Sequence, residues 1–311
     1  MFSVVIPLYN KEKCIAYTLE SVLKQTDQNF EIIIVDDGST DKSVDIVKSF
    51  HDKRIHLYCQ KNAGVSAARN RGIEKSKYEL IAFLDADDEW LPNHLQELGS
   101  LTDKFSDHQV FATNYMMIEN GNEKKFPIDT GTLCLAQSKG TLSHYFDVAV
   151  KTSPPLWTSA ICVKKRTILD VGAFPVGIHL GEDLIVWARL ASNFQIAYSK
   201  DISAIYHLDK NESSVSRQKE PDSNDYVGVE LKKLLLTVNE INKKGLKRYI
   251  AKWHKMRLNE YLIRNNRKMC LKEYINVFKY NKTDLRSFIM FLLALLPETT
   301  RVYILKKIRK M

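Results

Sequence analysis

The 311-residue chain has no glycine-rich phosphate loop, no paired-cysteine motif, no internal repeat and no apolar run long enough to cross a bilayer. Each absence excludes a class of protein. A dinucleotide-dependent oxidoreductase carries G-x-G-x-x-G after its first strand, where this chain has Pro7-Leu8-Tyr9-Asn10. A sugar-nucleotide-forming enzyme would want a glycine-rich loop at the same place to admit a triphosphate. The five cysteines (Cys14, Cys59, Cys134, Cys162, Cys270) are odd in number, scattered and never in a CxxC pair, which argues against a disulfide framework or a structural zinc site. A reducing cytoplasm is the expected home. No basic region precedes the strand-like start at Phe2, and Pro7 interrupts the apolar stretch, so no secretory signal is expected.

What is present divides sharply by charge. Residues 231–311 hold 21 Lys and Arg against 5 acidic residues, a net charge of +16, which leaves −7 for residues 1–230 out of the total of +9. A nucleic-acid-binding reading is prompted by this basic tail. The acidic body and the lack of a recognised motif leave it nonspecific affinity alone.

The body alternates strand and helix signals. Phe2–Leu8, Glu31–Val35, Ile55–Cys59 and Leu80–Leu84 read as strands, separated by helical patterns over Glu12–Gln25, from Asp41 through Ser49, and over Val65–Lys75. Repeated βα units with short connections predict an α/β fold with a mostly parallel central sheet, helices on both faces, and strand C-termini on one edge. Polar groups collect on that edge: Tyr9-Asn10, Asp36-Asp37, Asn62-Ala63-Gly64 and Asp85–Asp88 each follow one of the four strands. Ligands bind at such an edge in open α/β sheets. Asp85, Asp87 and Asp88 repel one another unless a cation sits among them, which points to a divalent metal with a phosphate-bearing ligand; a polar turn before a capped helix is the alternative.

Residues 110–210 lose the regular beat and read as mixed strands and loops, except for a helix from Leu180 with Glu182 and Asp183 in its first turn. Asp209–Asp225 reads as a polar loop or linker. Beyond Leu231 the chain reads as helical and basic.

Five segments together resemble the inverting family 2 glycosyltransferases of GT-A fold, the type found in bacterial polysaccharide and glycolipid synthesis. They are Val4–Asn10, Ile34–Asp41, Asn62–Gly72, Phe83–Asp88 and Gly181–Asp183, in the family's order. The resemblance implies a GT-A catalytic domain over 1–210, with a nucleotide-binding half at 1–105 and an acceptor-side half at 106–210. A linker at 211–230 and a basic helical extension at 231–311 would follow. It also implies roles. Pro7, Tyr9 and Asp37 would hold the nucleotide base and ribose, with Arg69 near base or diphosphate. Asp85 and Asp87 form the DxD element, with Asp87 and Asp88 as ligands of Mn²⁺ or Mg²⁺. Asp183 would be the catalytic base. The implied reaction moves a sugar, expected from UDP, to a hydroxyl of a lipid-linked or oligosaccharide acceptor.

Several residues carry two readings at this level. Asp37 suits the ligand and Asp41 the cap; Arg69 on a helix is otherwise a solvated or ion-paired face; Glu182 and Asp183 favour the helix dipole whatever their function. His207 reads as a metal ligand or a structural histidine, and Trp157 and Trp187 as sugar-stacking or core residues. The tail has the composition of an interfacial helix, Val302, Ile304, Leu305 and Ile308 mixed with Arg301, Lys306, Lys307, Arg309 and Lys310, and the apolar run Phe288–Leu296 falls well short of the ~20 residues a span needs. A peripheral place on the inner face of the cell membrane is one expectation; a packed hairpin or a homo-oligomer contact is the other.

Overall fold

Strand β1 (Phe2–Leu8) is buried at every position, because Val4, Val5, Ile6 and Leu8 leave no polar face to turn to solvent. A strand apolar on both sides needs cover on both sides, and a parallel sheet between helices supplies it. The computed structural model describes residues 1–119, 123–126, 128–129, 131–133, 135–178, 180–208, 221–301 and 304. The chain divides into two units, Met1–Ser216 and Arg217–Met311.

In the first unit β1 is followed by α1 (Ile15–Leu23), β2 (Phe30–Asp36), α2 (Ser43–Ser49), β3 (Ile55–Cys59), α3 (Val65–Lys75), β4 (Leu80–Phe83), β5 (Glu89–Trp90) and α4 (His94–Lys104). Next come β6 (Val110–Glu119), β7 (Glu123–Lys125), β8 (Lys139–Thr141), α5 (Tyr145–Lys151), β9 (Ile161–Lys164), α6 (Lys165–Asp170), α7 (Glu182–Asn193) and β10 (Ile196–Leu208). The sheet order is β3-β2-β1-β4-β9-β6-β10-β5, with β7 on β6 and β8 on β10. Strands β3, β2, β1 and β4 are mutually parallel, with Val5 in register with Ile33 on one side and Phe83 on the other. Strand order reverses at β1, which places a crevice beyond the ends of β1 and β4. The irregular region supplies the rest: β9 runs antiparallel between β4 and β6, while β6 and β10 are parallel.

Helix α3 lies close on the sheet because position 72 is glycine. A Cβ there would stand 2.3 Å from Val5 Cγ1. Trp187 of α7 is fully buried, 6.4 Å from Phe83 and 5.8 Å from Phe174 between ring centroids, so it fills core. Burying a large apolar side chain of this kind contributes roughly 1.5–3 kcal/mol.

Boundaries shift where the backbone turns. Helix α1 starts at Ile15 rather than Glu12, because Lys11–Cys14 form a turn in which the Lys11 carbonyl accepts from the Cys14 and Ile15 amides. Helix α7 starts at Glu182, preceded by Gly181 at φ 80°. In the second unit α8 (Tyr226–Leu234) begins ahead of the expected start at Leu231, and α9 (Glu240–Ile263), α10 (Arg267–Tyr280) and α11 (Leu285–Leu295) follow. Asp225, Asn239, Asn266 and Asp284 each accept a hydrogen bond from the first turn of the helix they precede, which is why the four helices begin there. Leu258, Tyr261, Leu262, Cys270, Met290 and Ala294 form this unit's core. Inside it Glu273 accepts from Arg257 Nε at 2.9 Å and lies 2.6 Å from His254 Nδ1, so the buried carboxylate is charge-paired and its pKa lies below the usual value although burial opposes ionisation. No helix among the described residues is long and apolar enough to cross a membrane. Most of the basic stretch after Arg301 lies outside the described residues.

Candidate active site

The turn from β4 to β5 carries Asp85, Asp87 and Asp88, and helix α1 holds it in shape. Thr18 Oγ1 donates to the carbonyls of Ala86 and Asp88 at 3.0 and 2.9 Å, and the Tyr17 hydroxyl to that of Asp87 at 2.8 Å. With the backbone fixed from beneath, the three carboxylates take three different environments. Asp85 accepts from Arg69 Nη2 at 2.7 Å. Asp87 accepts from Lys11 Nζ at 2.5 Å. Asp88 is buried; its Oδ2 accepts from Ser159 Oγ and, at 3.3 Å, from Trp157 Nε1, while its Oδ1 accepts from the His207 amide at 3.3 Å.

These environments set the electrostatics. Burial, then the Asp87 and Asp85 charges, push the Asp88 carboxyl well above the usual carboxylate range despite the Ser159 and Trp157 donors. Burial opposes charge on Lys11, yet Asp87 beside it holds the ammonium pKa above its ordinary value. Arg69 is 4% exposed and also donates Nη1 to Glu182 Oε1 at 3.0 Å, so one guanidinium joins the end of β4 to the start of α7. Its charge survives burial because Asp85 and Glu182 outweigh desolvation.

Asp183 follows Glu182 in the first turn of α7 and is partly exposed; its Oδ1 accepts from the Leu184 amide at 2.8 Å. Burial and the neighbouring Glu182 push its carboxyl up to about 7, with Arg69 acting in the opposite direction. Beside these groups stands an aromatic set. Trp157 lies 4.4 Å from Tyr206 and 5.6 Å from Tyr115 between ring centroids, and Tyr115 feels the charges of both Asp183 and Asp88.

At the β1 and β2 ends the loops interlock. The Asp37 amide donates to the Leu8 carbonyl at 2.8 Å, and Asn10 Oδ1 accepts from the Thr40 amide at 2.8 Å. The Asp37 carboxylate is buried and accepts from Gln60 Nε2 and the Ala63 and Gly64 amides at 2.7–2.9 Å, so it fixes the Asn62–Gly64 loop. Asp41 accepts from the Ser43 and Glu12 amides at 2.9 and 3.0 Å. Tyr9 is 46% exposed at the rim, whereas Pro7 is buried inside β1 opposite Val35. The ring of His207 lies against Glu89, Nε2 to Oε2 3.1 Å.

Arg69, Asp85, Glu182 and Asp183 therefore form one charged group, with Asp87 and Asp88 on the same turn. Lys11, Ser159 and the pairing of Arg69 with Glu182 were not foreseen from sequence. The local signals were a lysine in a turn after β1 and a serine ahead of β9, neither distinctive.

The residues present fit a divalent cation bound together with phosphate. Among the described residues Arg69 and Lys11 are the cations paired with this cluster, which leaves Asp85, Asp87, Asp88, Glu182 and Asp183 short of positive charge. No three His, Cys, Asp or Glu side chains among the described residues form a ready-made cage. Magnesium sites built on one or two carboxylates plus substrate phosphates have this character.

Parallel strands β3-β2-β1-β4, a mixed second half and carboxylates at the switch point define the GT-A type of fold. Residues 3–150 match the family described as glycosyl transferase family 2. The chain is 33% identical over 208 residues to an uncharacterized glycosyltransferase of Rickettsia bellii, 65% of this chain and 28% of that protein. It is 29% identical over 239 residues to TuaG of Bacillus subtilis, a putative teichuronic acid biosynthesis glycosyltransferase, covering 75% of this chain and 89% of TuaG. The chain spans about a third of the length of its rickettsial relatives. Among solved structures, S. aureus TarS 1-349 superposes with a TM-score of 0.68 at 18% identity over 94% of this chain and 83% of that one. The same protein in complex with UDP-GlcNAc gives 0.65 at 19% identity, over 94% and 79%.

Proposed function

We propose that the protein is a metal-dependent inverting glycosyltransferase that moves a sugar from a UDP-sugar to a hydroxyl of a lipid-linked or oligosaccharide acceptor in polysaccharide synthesis. The observation that carries this reading is the separation of two kinds of carboxylate at one crevice. Asp88, with Asp85 and Asp87, sits on the β4–β5 turn, and Asp183, raised to about 7, arrives on α7. TarS in complex with UDP-GlcNAc and with UDP supports the donor class. The names of TuaG and of GgaA, a minor teichoic acid biosynthesis protein of Bacillus subtilis, support the polymer context.

Asp87 and Asp88 would hold Mg²⁺ or Mn²⁺, which supplies positive charge at the diphosphate as the glycosidic bond breaks. Tyr9 presents an exposed ring for the nucleotide base, while Asp37 shapes the backbone around it. Arg69 holds Asp85 and Glu182, which keeps Glu182 from bonding an acceptor. Asp183 then takes the proton of the attacking hydroxyl, and a carboxyl near pH 7 is matched to that task. Lys11, on a rim turn beside Asp87, would be available to phosphate where a divalent cation took that carboxylate. A lipid-linked acceptor would keep the enzyme at the inner face of the cell membrane.

The test is calorimetry with UDP in the presence of Mn²⁺, followed by a screen of nucleotide sugars for metal-dependent transfer or hydrolysis. Binding heat that vanishes on chelation and turnover of a UDP-sugar are expected. UDP binding indifferent to chelator would contradict the metal assignment, and no turnover of any nucleotide sugar would contradict the reaction.

A further inference from the structure

Helices α10 and α11 each carry two apolar faces where a packed helix needs one. On α10, Cys270 and Val277 are buried with Glu273, while Leu271, Ile275 and Phe278 recur at helical spacing on another side and are exposed, Phe278 by 49%. On α11, Met290 and Ala294 are buried, while Leu285, Phe288, Ile289, Leu292 and Leu295 are exposed. The two outer faces are continuous. Tyr274 stacks on Phe291 with centroids 4.6 Å apart, and Phe278, Leu285 and Phe288 line one open cleft of about 360 Å³ between the helices. An exposed apolar surface of this extent marks an interaction site.

Its rim is basic. Lys268, Lys272 and Lys279 lie beside the apolar stripe of α10, and Lys282 and Arg286 stand at the turn into α11, all exposed. We propose that this α10–α11 face docks on an anionic bilayer surface, with the apolar side chains entering the headgroup boundary and the lysines meeting lipid phosphates. Charge selects this occupant over a second copy of the chain. A two-fold dimer through the face would set the same basic rim against itself, in a region whose net charge is +16. With −7 over residues 1–230, attraction to a negative surface has to come from this region. The inference gives a site to the membrane placement named above and otherwise does not depend on the reaction assigned to the first unit.

The experiment is sedimentation of the full chain with vesicles of phosphatidylcholine, with and without phosphatidylglycerol, at low and high salt, with UDP binding measured on the same preparations. The protein should pellet with the anionic vesicles at low salt and be released by high salt. Lys272→Gln with Lys279→Gln, both on exposed positions that pose little folding risk, should weaken binding by about 25-fold, taking each lysine as about fivefold. Phe278→Ser with Phe288→Ser should weaken it as well and leave UDP binding unchanged, with helical circular dichroism at the wild-type level reporting that the second unit is folded. Failure to pellet with anionic vesicles at low salt overturns the proposal while leaving the transferase reading intact. Self-association that Phe288→Ser abolishes, without lipid affinity, would assign the face to a second copy instead.

Discussion

Arg69 and Glu182 stand 113 positions apart in the chain and meet in a buried ion pair, Nη1 to Oε1 3.0 Å. The same guanidinium reaches Asp85 at 2.7 Å. It ties the end of β4 to the helix that carries Asp183, and its positive charge opposes the upward shift of the Asp183 carboxyl. Arg69→Met should therefore do two things. Stability should fall by about 3–5 kcal/mol, the usual consequence of leaving buried charges without their partner. In the protein that still folds, the pH at which activity rises should move upward. Chemical denaturation and a pH–rate profile check the two effects separately.

The wild-type profile has its own expectation. Asp183 titrates near 7, raised by burial and by Glu182, and a base must be deprotonated to work. kcat/KM should rise with pH through about 7. A rising limb near the ordinary aspartate value of about 4 would remove Asp183 from the role.

The same shift acts on stability, with a definite sign. Between about pH 4 and pH 7 the native Asp183 carboxyl holds a proton that the unfolded chain has lost, so stability falls as pH rises across that window. Asp88, raised in the same direction, adds to the effect. Without divalent cation the protein should melt higher at pH 5 than at pH 7, and Mn²⁺ with UDP should narrow the gap. Differential scanning calorimetry at the two pH values reads it directly.

Sequence carried the first half of the fold well and the second half poorly, for physical reasons. Strands β1, β2 and β4 are largely apolar and buried and announce themselves, β3 is half-buried, and α3 runs over Val65–Lys75 as its pattern predicts. β9 is four residues long and β5 two, too short for any periodicity, and their pairings with β4 and β10 join residues far apart in the chain. Within the site, the Asp85–Asp88 cluster and Asp183 were legible because each has a local motif. Lys11 was not, since only the fold brings it to Asp87. Asp37 was legible as a rim carboxylate, but its three donors from Gln60, Ala63 and Gly64 depend on where the β3–α3 loop packs.

That packing also gives a test of the scaffold. Gly72→Ala would place a methyl 2.3 Å from Val5 Cγ1, so α3 or β1 must move. A loss of about 1–3 kcal/mol is expected from overpacking, read by urea denaturation with the m-value unchanged.

Asp88→Asn should preserve much of the buried hydrogen bonding while removing the carboxylate proposed to hold a cation. Metal-dependent UDP affinity should fall by about 10- to 100-fold, with the chelator-insensitive part of binding unchanged. Isothermal titration in Mn²⁺ and in chelator separates the two.

The most direct measurement is a paired one on Asp183→Asn: UDP affinity by calorimetry in Mn²⁺, and transfer from the UDP-sugar identified in the screen. Division of labour between the β4–β5 carboxylates and Asp183 predicts UDP affinity close to wild type and turnover reduced by about 10²–10⁴. Wild-type turnover in this variant, or UDP affinity lost along with turnover, would contradict it.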